Sequence, residues 1–196
     1  MSAPDRRWSQ WAGPEYQTAL RDAEEKLSRG EVEDARKVLE PIALIGEPTA
    51  VTLLSQISHE SEAQDAWEAR QRVAVEAAAT KGFAPALYLL GLCYDEGELG
   101  YPVSKAKAAK LFAQAAEKGH VHSQWIHALD LLNGSNGVQR DESLGRIYLQ
   151  HAAEANLKRA LESLAEFHRT GAFGFSRDEQ LAAQIAARAA LAEDWI

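Results

Sequence analysis

The sequence predicts an all-α, right-handed solenoid of about five antiparallel helix pairs, and three observations predict it. Small turn residues recur at a step of 37: Gly97, Gly134 and Gly171; Gly100, Gly137 and Gly174; Gly82, Gly119 and, third in that column, Asn156. Alanines keep the same step, Ala115 with Ala152 and Ala189, and Ala116 with Ala153 and Ala190. Between these markers apolar residues follow the three- and four-residue spacing of a buried helix face. A period of this length is one supersecondary unit that buries its apolar face only by stacking on its neighbours.

Residues 1–13 read as an N-terminal segment and 14–196 as a single solenoid domain, with units at about 14–46, 47–82, 83–119, 120–156 and 157–196. The first unit pairs a helix over Glu15–Arg29 with one over Glu31–Ile45, turning at Gly30. In the second, Pro48 opens a helix that runs to about His59, because proline's missing N–H costs nothing in a first turn. A partner helix spans Asp65 to Lys81. The third unit sets Ala84, Ala86, Leu87, Leu90 and Tyr94 on one face, stops at Gly97 and loops from Glu98 to Val103. Glycine suits that stop because a helix end favours the left-handed conformation. Ser104 stands at the next N-cap position, and Ala108, Leu111, Phe112 and Ala115 face one way before Gly119 closes the unit.

The fourth unit repeats this, with Val121, Gln124, Ile126, Ala128 and Leu131 before Gly134. Asp141 caps its second helix, which carries Leu144, Ile147, Tyr148, Ala152 and Ala153. The fifth runs from Leu157 to Thr170, stops at Gly171, is capped again at Asp178 and continues through Leu181, Ile185 and Ala189. The column Gly91, Ala128, Ala165 is small in each unit, which lets helices approach closely. Alanine is also simply a good helix former, but recurrence in register points to packing. Trp8 and Trp11 at one end, and Trp195 with Ile196 at the other, read as apolar lids over the terminal faces.

Composition narrows the function. A net charge of −8 argues against tight nucleic-acid binding, which needs Lys and Arg to neutralise several phosphates. It suits a partner with a basic surface, since opposite charge speeds encounter. Cys93 is the only cysteine, so there is no intrachain disulfide and no thiolate zinc site. Met1 to Trp11 lacks the apolar core of a secretory signal, and no run of about 18 apolar residues could span a membrane. A cytoplasmic location is the default expectation.

Catalytic and metal motifs are lacking in the sequence. His120, His122 and His127 do not converge: His120 and His127 stand about 10 Å apart along a helix, and metal ligands must lie within about 2 Å of one point. Cys93 reads as a buried, inert thiol. The paired glycines at 97/100, 134/137 and 171/174 are turns at the repeat period, and none precedes the Lys-Ser or Lys-Thr of a phosphate loop. The expectation is no enzyme, no cofactor and no metal.

The run from Gly82 through Gly91, Tyr94 and Gly97, then Ala106 and Ala108, then Ala115-Ala116-Glu117-Lys118-Gly119 resembles the Sel1-like repeat family, a relative of the tetratricopeptide repeats. The resemblance covers Lys81 to Leu191 best, with departures at His127, Leu131 and Asn156. It implies a right-handed α-solenoid that holds a protein on its concave face without chemistry of its own, in a family that includes bacterial regulators and immunity proteins. It places inward the positions Pro85, Tyr88, Leu92, Asp95 and Glu96; then His122, Trp125, Leu129, Leu132 and Asn133; then Arg159, Glu162, Glu166, Arg169 and Thr170; and earlier Val51, Ser55, Ser58 and His59. Trp125 is the foremost candidate anchor, because aromatics and Arg dominate binding hot spots. Three functions follow: an inhibitor or immunity protein that occludes a toxin or effector, a general adaptor or regulatory scaffold, or an enzyme with its site in the groove.

Overall fold

The computed structural model describes residues 8–58 and 62–192, so the calls on His59, Trp195 and Ile196 lie outside the described residues. Every described regular element is helical. The helices are α1 (Pro14–Ser28), α2 (Val32–Leu44), α3 (Pro48–Ser55), α4 (Gln64–Thr80), α5 (Ala84–Glu96), α6 (Lys105–Glu117), α7 (Val121–Asn133), α8 (Glu142–Glu154), α9 (Lys158–Thr170) and α10 (Glu179–Leu191). From α5 onward each is 13 residues long, as a strict repeat requires. Short 3₁₀ turns occur at Trp8–Trp11, Glu98–Gly100 and Ala172–Gly174. The described chain forms two compact units, 5–103 and 104–196, and the fold class is that of an α-solenoid.

In the first unit each helix packs on the next in sequence. Its core gathers Leu20, Ala23, Leu39, Ala50, Leu53 and Ile57, with Trp8 against it from the opening turn. Ser9 fastens that turn, its N–H and hydroxyl both donating to Glu24 at 3.1 and 2.8 Å. Glu47, not a Ser or Thr, caps α3 by accepting from the Ala50 N–H at 2.7 Å. Helix α3 then ends at Ser55, short of the expected extent, and Arg70 of α4 takes over the carbonyls it leaves: Leu54 at 3.3 Å, Ser55 at 3.4 Å and Ile57 at 2.9 Å. A Glu62 pair at 2.7 Å holds that arginine in place.

In the second unit α7 packs most extensively on α8, and α9 on α10. The core runs through Ala128, Leu132, Leu149, Ala152, Ala153, Leu157, Ala160 and Leu161. Gly145 explains the close approach of α7 and α8: a Cβ there would lie 2.8 Å from Leu132 Cγ and 3.1 Å from the Ala128 carbonyl oxygen. Asp141 and Asp178 cap as expected, accepting from Leu144 at 3.0 Å and Leu181 at 2.9 Å. Ser104 occupies its N-cap without a side-chain bond; its carbonyl alone serves the turn, accepting from Lys107 and Ala108 at 3.0 Å each. On α8, Leu144 and Ile147 are exposed, because the buried side of the helix is the one carrying Gly145, Leu149, Ala152 and Ala153.

The loops after α5, α7 and α9 share one backbone. Gly97, Gly134 and Gly171 end their helices in the left-handed region, and two residues on, Leu99, Asn136 and Phe173 also have φ between 51° and 54°. Asparagine tolerates that conformation; leucine and phenylalanine do so at a cost of about 1–2 kcal/mol. The two strained residues are the two whose carbonyls receive an arginine from the preceding second helix: Arg72 to Leu99 at 3.5 Å and Arg146 to Phe173 at 2.8 Å. The corresponding position before Asn136 is Ala109.

Candidate partner-binding surfaces

The second unit holds a groove of about 930 Å³ between α9 and α10. Its floor is alanine: Ala165 from α9, and Ala182, Ala183, Ala186, Ala189 and Ala190 from α10. Its walls are charged, with Lys158, Glu162, Glu166 and Arg169 on α9 and Arg177 and Glu179 opposite. Four of these charges are paired internally. Arg169 grips Glu166 through two nitrogens at 2.6 and 3.0 Å, and Arg177 meets Glu179 at 2.9 Å. Both pairs are exposed, so each contributes little to stability.

The groove contains three of the expected contact residues, Glu162, Glu166 and Arg169. The rest are placed otherwise. Trp125 is half-buried and turned onto the next helix pair: its indole N–H donates to Ser163 Oγ at 3.1 Å, and the Arg159 guanidinium carbon stands 5.6 Å from its ring centre. His122 is buried and Leu129 half-buried, while Asn133 is exposed and donates to the Leu129 carbonyl at 2.8 Å. On α5, in the first unit, Tyr88, Leu92 and Asp95 are half-buried and Glu96 is exposed; Pro85 is buried.

Sequence reasoning missed Lys158, Arg177, Glu179 and the α10 alanines. The signal that finds them is the repeat itself. Subtracting 37 from Glu162, Ala165, Glu166, Arg169, Ala186 and Ala190 gives Trp125, Ala128, Leu129, Leu132, Leu149 and Ala153, and on this α7–α8 face α9 is the helix that sits.

The first unit holds a second hollow, of about 610 Å³, between α2, α3 and α4. Pro41, Ala43, Leu44, Val51, Leu54 and Ala74 line it, with Glu40, Ser55 and Arg70 at its polar edge. Val51 and Ser55 are among the expected inward positions. Leu44 is 88% exposed beside it.

The titratable groups that stand apart are buried rather than convergent. Burial, with a smaller contribution from Glu98, pushes the Cys93 thiol up to about 11, far from a thiolate nucleophile. Burial, with His122 beside it, pulls His120 down to about 3; its Nδ1 lies 3.0 Å from Ser123 Oγ. Burial also lowers His127, against the opposing pull of Asp130 and Glu117. Among the described residues no group of three or more His, Cys, Asp or Glu is placed to hold a metal ion, and no described helix is long and apolar enough to cross a membrane.

Comparison with known proteins agrees with the repeat. A family model for the Sel1 repeat matches residues 84–120, 122–157 and 158–194. Among curated proteins the chain is 34% identical over 104 residues to chitin synthase regulatory factor 3 of Schizosaccharomyces pombe, covering 53% of this chain and 11% of that one. It is 30% identical over 97 residues to chitin synthase regulatory factor 2 of the same organism, covering 50% and 19%. The chain thus spans less than a fifth of the length of these relatives. Among solved structures it is similar to a protective antigen of uropathogenic Escherichia coli strains displaying an SLR fold, at TM-score 0.66 and 26% identity over 80% of this chain and 33% of that one. A Sel1 repeat protein from Oxalobacter formigenes shares the fold at TM-score 0.66 and 22% identity, covering 83% and 65%.

Proposed function

This chain belongs to the Sel1 repeat family, and on that premise we propose that it is a non-catalytic inhibitor or immunity protein, cytoplasmic, that neutralises a toxin or effector by occluding it. Sel1 repeat proteins are protein-interaction scaffolds, and the finer role is what this proposal adds. The observation that carries it is the α9–α10 groove, an open hollow on a face that one repeat earlier is filled by a helix. Glu162, Glu166 and Arg169 are the contact residues kept from the sequence reading, with the exposed Arg159, Asn133 and Glu96 as further contacts. Trp125 and His122 act instead in packing. The net charge of −8 favours a partner with a basic surface.

A general regulatory adaptor is the second reading. The relatives favour it, because two of them are named as regulatory factors.

The experiment uses the 196-residue chain with a photo-crosslinking residue at Ala183, on the groove floor, and at Lys110, an exposed position of α6. The proposal expects one partner captured from Ala183 and not from Lys110, and purified partner whose activity falls when the chain is added. Undiminished partner activity in the complex leaves the adaptor reading in its place. Equal capture from both positions rejects the groove.

A further inference from the structure

We infer that Asn136 is a site of spontaneous covalent modification, where attack by the Gly137 nitrogen turns the side-chain amide into a carboxylate and unlatches the loop after α7. The reaction lies within the chain and needs no partner protein.

Two Asn-Gly pairs lie close together, Asn133-Gly134 and Asn136-Gly137. Asparagine before glycine is the reactive arrangement, because a residue without a Cβ leaves its own nitrogen open to approach. The deprotonated glycine nitrogen attacks Asn Cγ, the N–Cγ bond forms, the Cγ–Nδ2 bond breaks, and ammonia leaves with a proton from solvent. Water then opens the five-membered imide. Cleavage at Cγ gives aspartate and cleavage at the main-chain carbonyl gives its iso-linked form, so the balance is one water taken up and one ammonia released.

In sequence the two pairs are alike; the fold separates them. The Gly134 N–H donates to the Asp130 carbonyl at 2.8 Å, which closes helix α7 and occupies the nucleophile. The Gly137 N–H has no hydrogen-bond partner among the described residues, and Asn136 and Gly137 are both exposed. The leaving groups differ as well. Asn133 Nδ2 donates to the neutral Leu129 carbonyl at 2.8 Å, whereas Asn136 Nδ2 donates to Asp130 Oδ1 at 2.8 Å. That nitrogen becomes cationic as it takes up the proton it leaves with, and a carboxylate beside it stabilises the charge.

The same contact makes the product disruptive. Asp130 is buried, and its Oδ1 also holds the loop by accepting from Ser135 Oγ at 2.6 Å; its Oδ2 is buried with no partner among the described residues. The sister loops have no such acid. Cys93 and Phe167 stand in its column, and arginines from the preceding second helix bond to those loops instead. Aspartate at 136 removes the donor and sets a second carboxylate against Asp130. Burial disfavours charge on His127 of the same helix, although Asp130 and Glu117 of α6 pull the other way, and Tyr148 of α8 lies edge-on to its ring at 5.2 Å. Arg140 in the loop is committed to Glu142 at 2.5 Å. Two carboxylates at one site repel once both are ionised, so the loss of stability grows as pH rises out of the acid range and shrinks where a proton bridges them.

The test incubates the 196-residue chain at about pH 8, natively and in urea, and follows the gain of one mass unit at each asparagine by peptide mass spectrometry, with an isoaspartyl methyltransferase assay for the iso-linked product. In the native chain Asn136 should react about tenfold faster than Asn133, roughly the worth of the intact Gly134 hydrogen bond. In urea the two should react at comparable rates. Asn136→Gln, whose longer side chain needs a six-membered ring, should abolish the gain at this position. Asn136→Asp, the product made directly, should lower the thermal midpoint by about 5 °C at neutral pH and by less as pH falls. Asp130→Asn combined with Asn136→Asp should recover most of that loss, with donor and acceptor exchanged. Circular dichroism checks that each variant is helical before it is scored. Equal or faster reaction at Asn133 in the native chain, or a native Asn136 that stays unmodified while the urea sample reacts, overturns the site. A midpoint for Asn136→Asp that matches the unsubstituted chain at every pH overturns the latch.

Discussion

Two faces of this chain stand 37 residues apart and have opposite fates. On α7–α8, Leu132 and Leu149 are buried in the core that α9 shares, Trp125 packs half-buried against it, and Leu129 is half-buried. On α9–α10 the same columns hold Glu162, Glu166, Arg169 and Ala186, and they line an open groove. The small residues are unchanged between the two: Ala128 becomes Ala165, and Ala152 and Ala153 become Ala189 and Ala190. The backbone scaffold of a docking face is therefore repeated while its apolar filling is exchanged for charge. The columns that keep their residue define the repeat, and those that change define what each face meets.

The sharpest way to break this comparison is to exchange the filling. Leu149 is fully buried, so Leu149→Ala should cost about 3–5 kcal/mol in urea denaturation, transfer plus cavity. Ala186→Leu, the reciprocal change one repeat on, should leave stability within about 0.5 kcal/mol. Comparable losses in both would mean that the α10 face is packed.

A second contrast concerns the N-caps of α7 and α9, where His120 and Leu157 occupy one column. The folded-state value of His120 is held near 3 against 6.5 for the ordinary group. Above pH 6.5 both folded and unfolded chains carry it neutral and it contributes no pH dependence. As pH falls below 6.5 the unfolded chain takes the proton first, so stability declines, by about 2 kcal/mol between pH 6.5 and 5 for one such group. His127, lowered in the same direction, adds to the slope. His120→Leu, the residue used one repeat on, should flatten the profile of stability against pH over this interval; an unchanged slope would show that His120 is accessible to protons in the fold.

The smallest effect is expected in the loops. Leu99 and Asn136 share a column and a φ near 50°, so Leu99→Asn should stabilise the chain by about 1 kcal/mol, less what the half-buried leucine side chain gives up. Asn136→Leu should destabilise by a similar amount. A thermal shift of the wrong sign in the pair would mean that packing around Leu99 outweighs its backbone strain.

Much of the fold was legible because its causes are local. The stops at Gly97, Gly134 and Gly171 and the caps at Asp141 and Asp178 follow from short-range geometry, and they stand where the sequence puts them. The failures are equally instructive. The extent of α3 was read too long, and apolar character alone does not tell that Leu144 and Ile147 are exposed, because only one arc of α8 meets α7, the arc that Gly145 opens. Ser104 has the right residue type for a cap and makes no cap bond. Of the groove, Glu162, Glu166 and Arg169 were legible as one helical stripe, whereas Arg177, Glu179 and the α10 alanines were not, because they come from a different helix.

The sequence by itself determined that this chain is built of like helix pairs, where the helices from α5 onward stop, and which columns stay small. Those properties depend on residues within a turn or two of one another, or on identity repeated at a fixed step. Only the tertiary structure decided that Trp125 is a packing residue and Glu162 a wall of an open groove. The two occupy one column, and what separates them is whether another helix pair lies on that face, which is a fact about neighbours in space and not about neighbours in the chain.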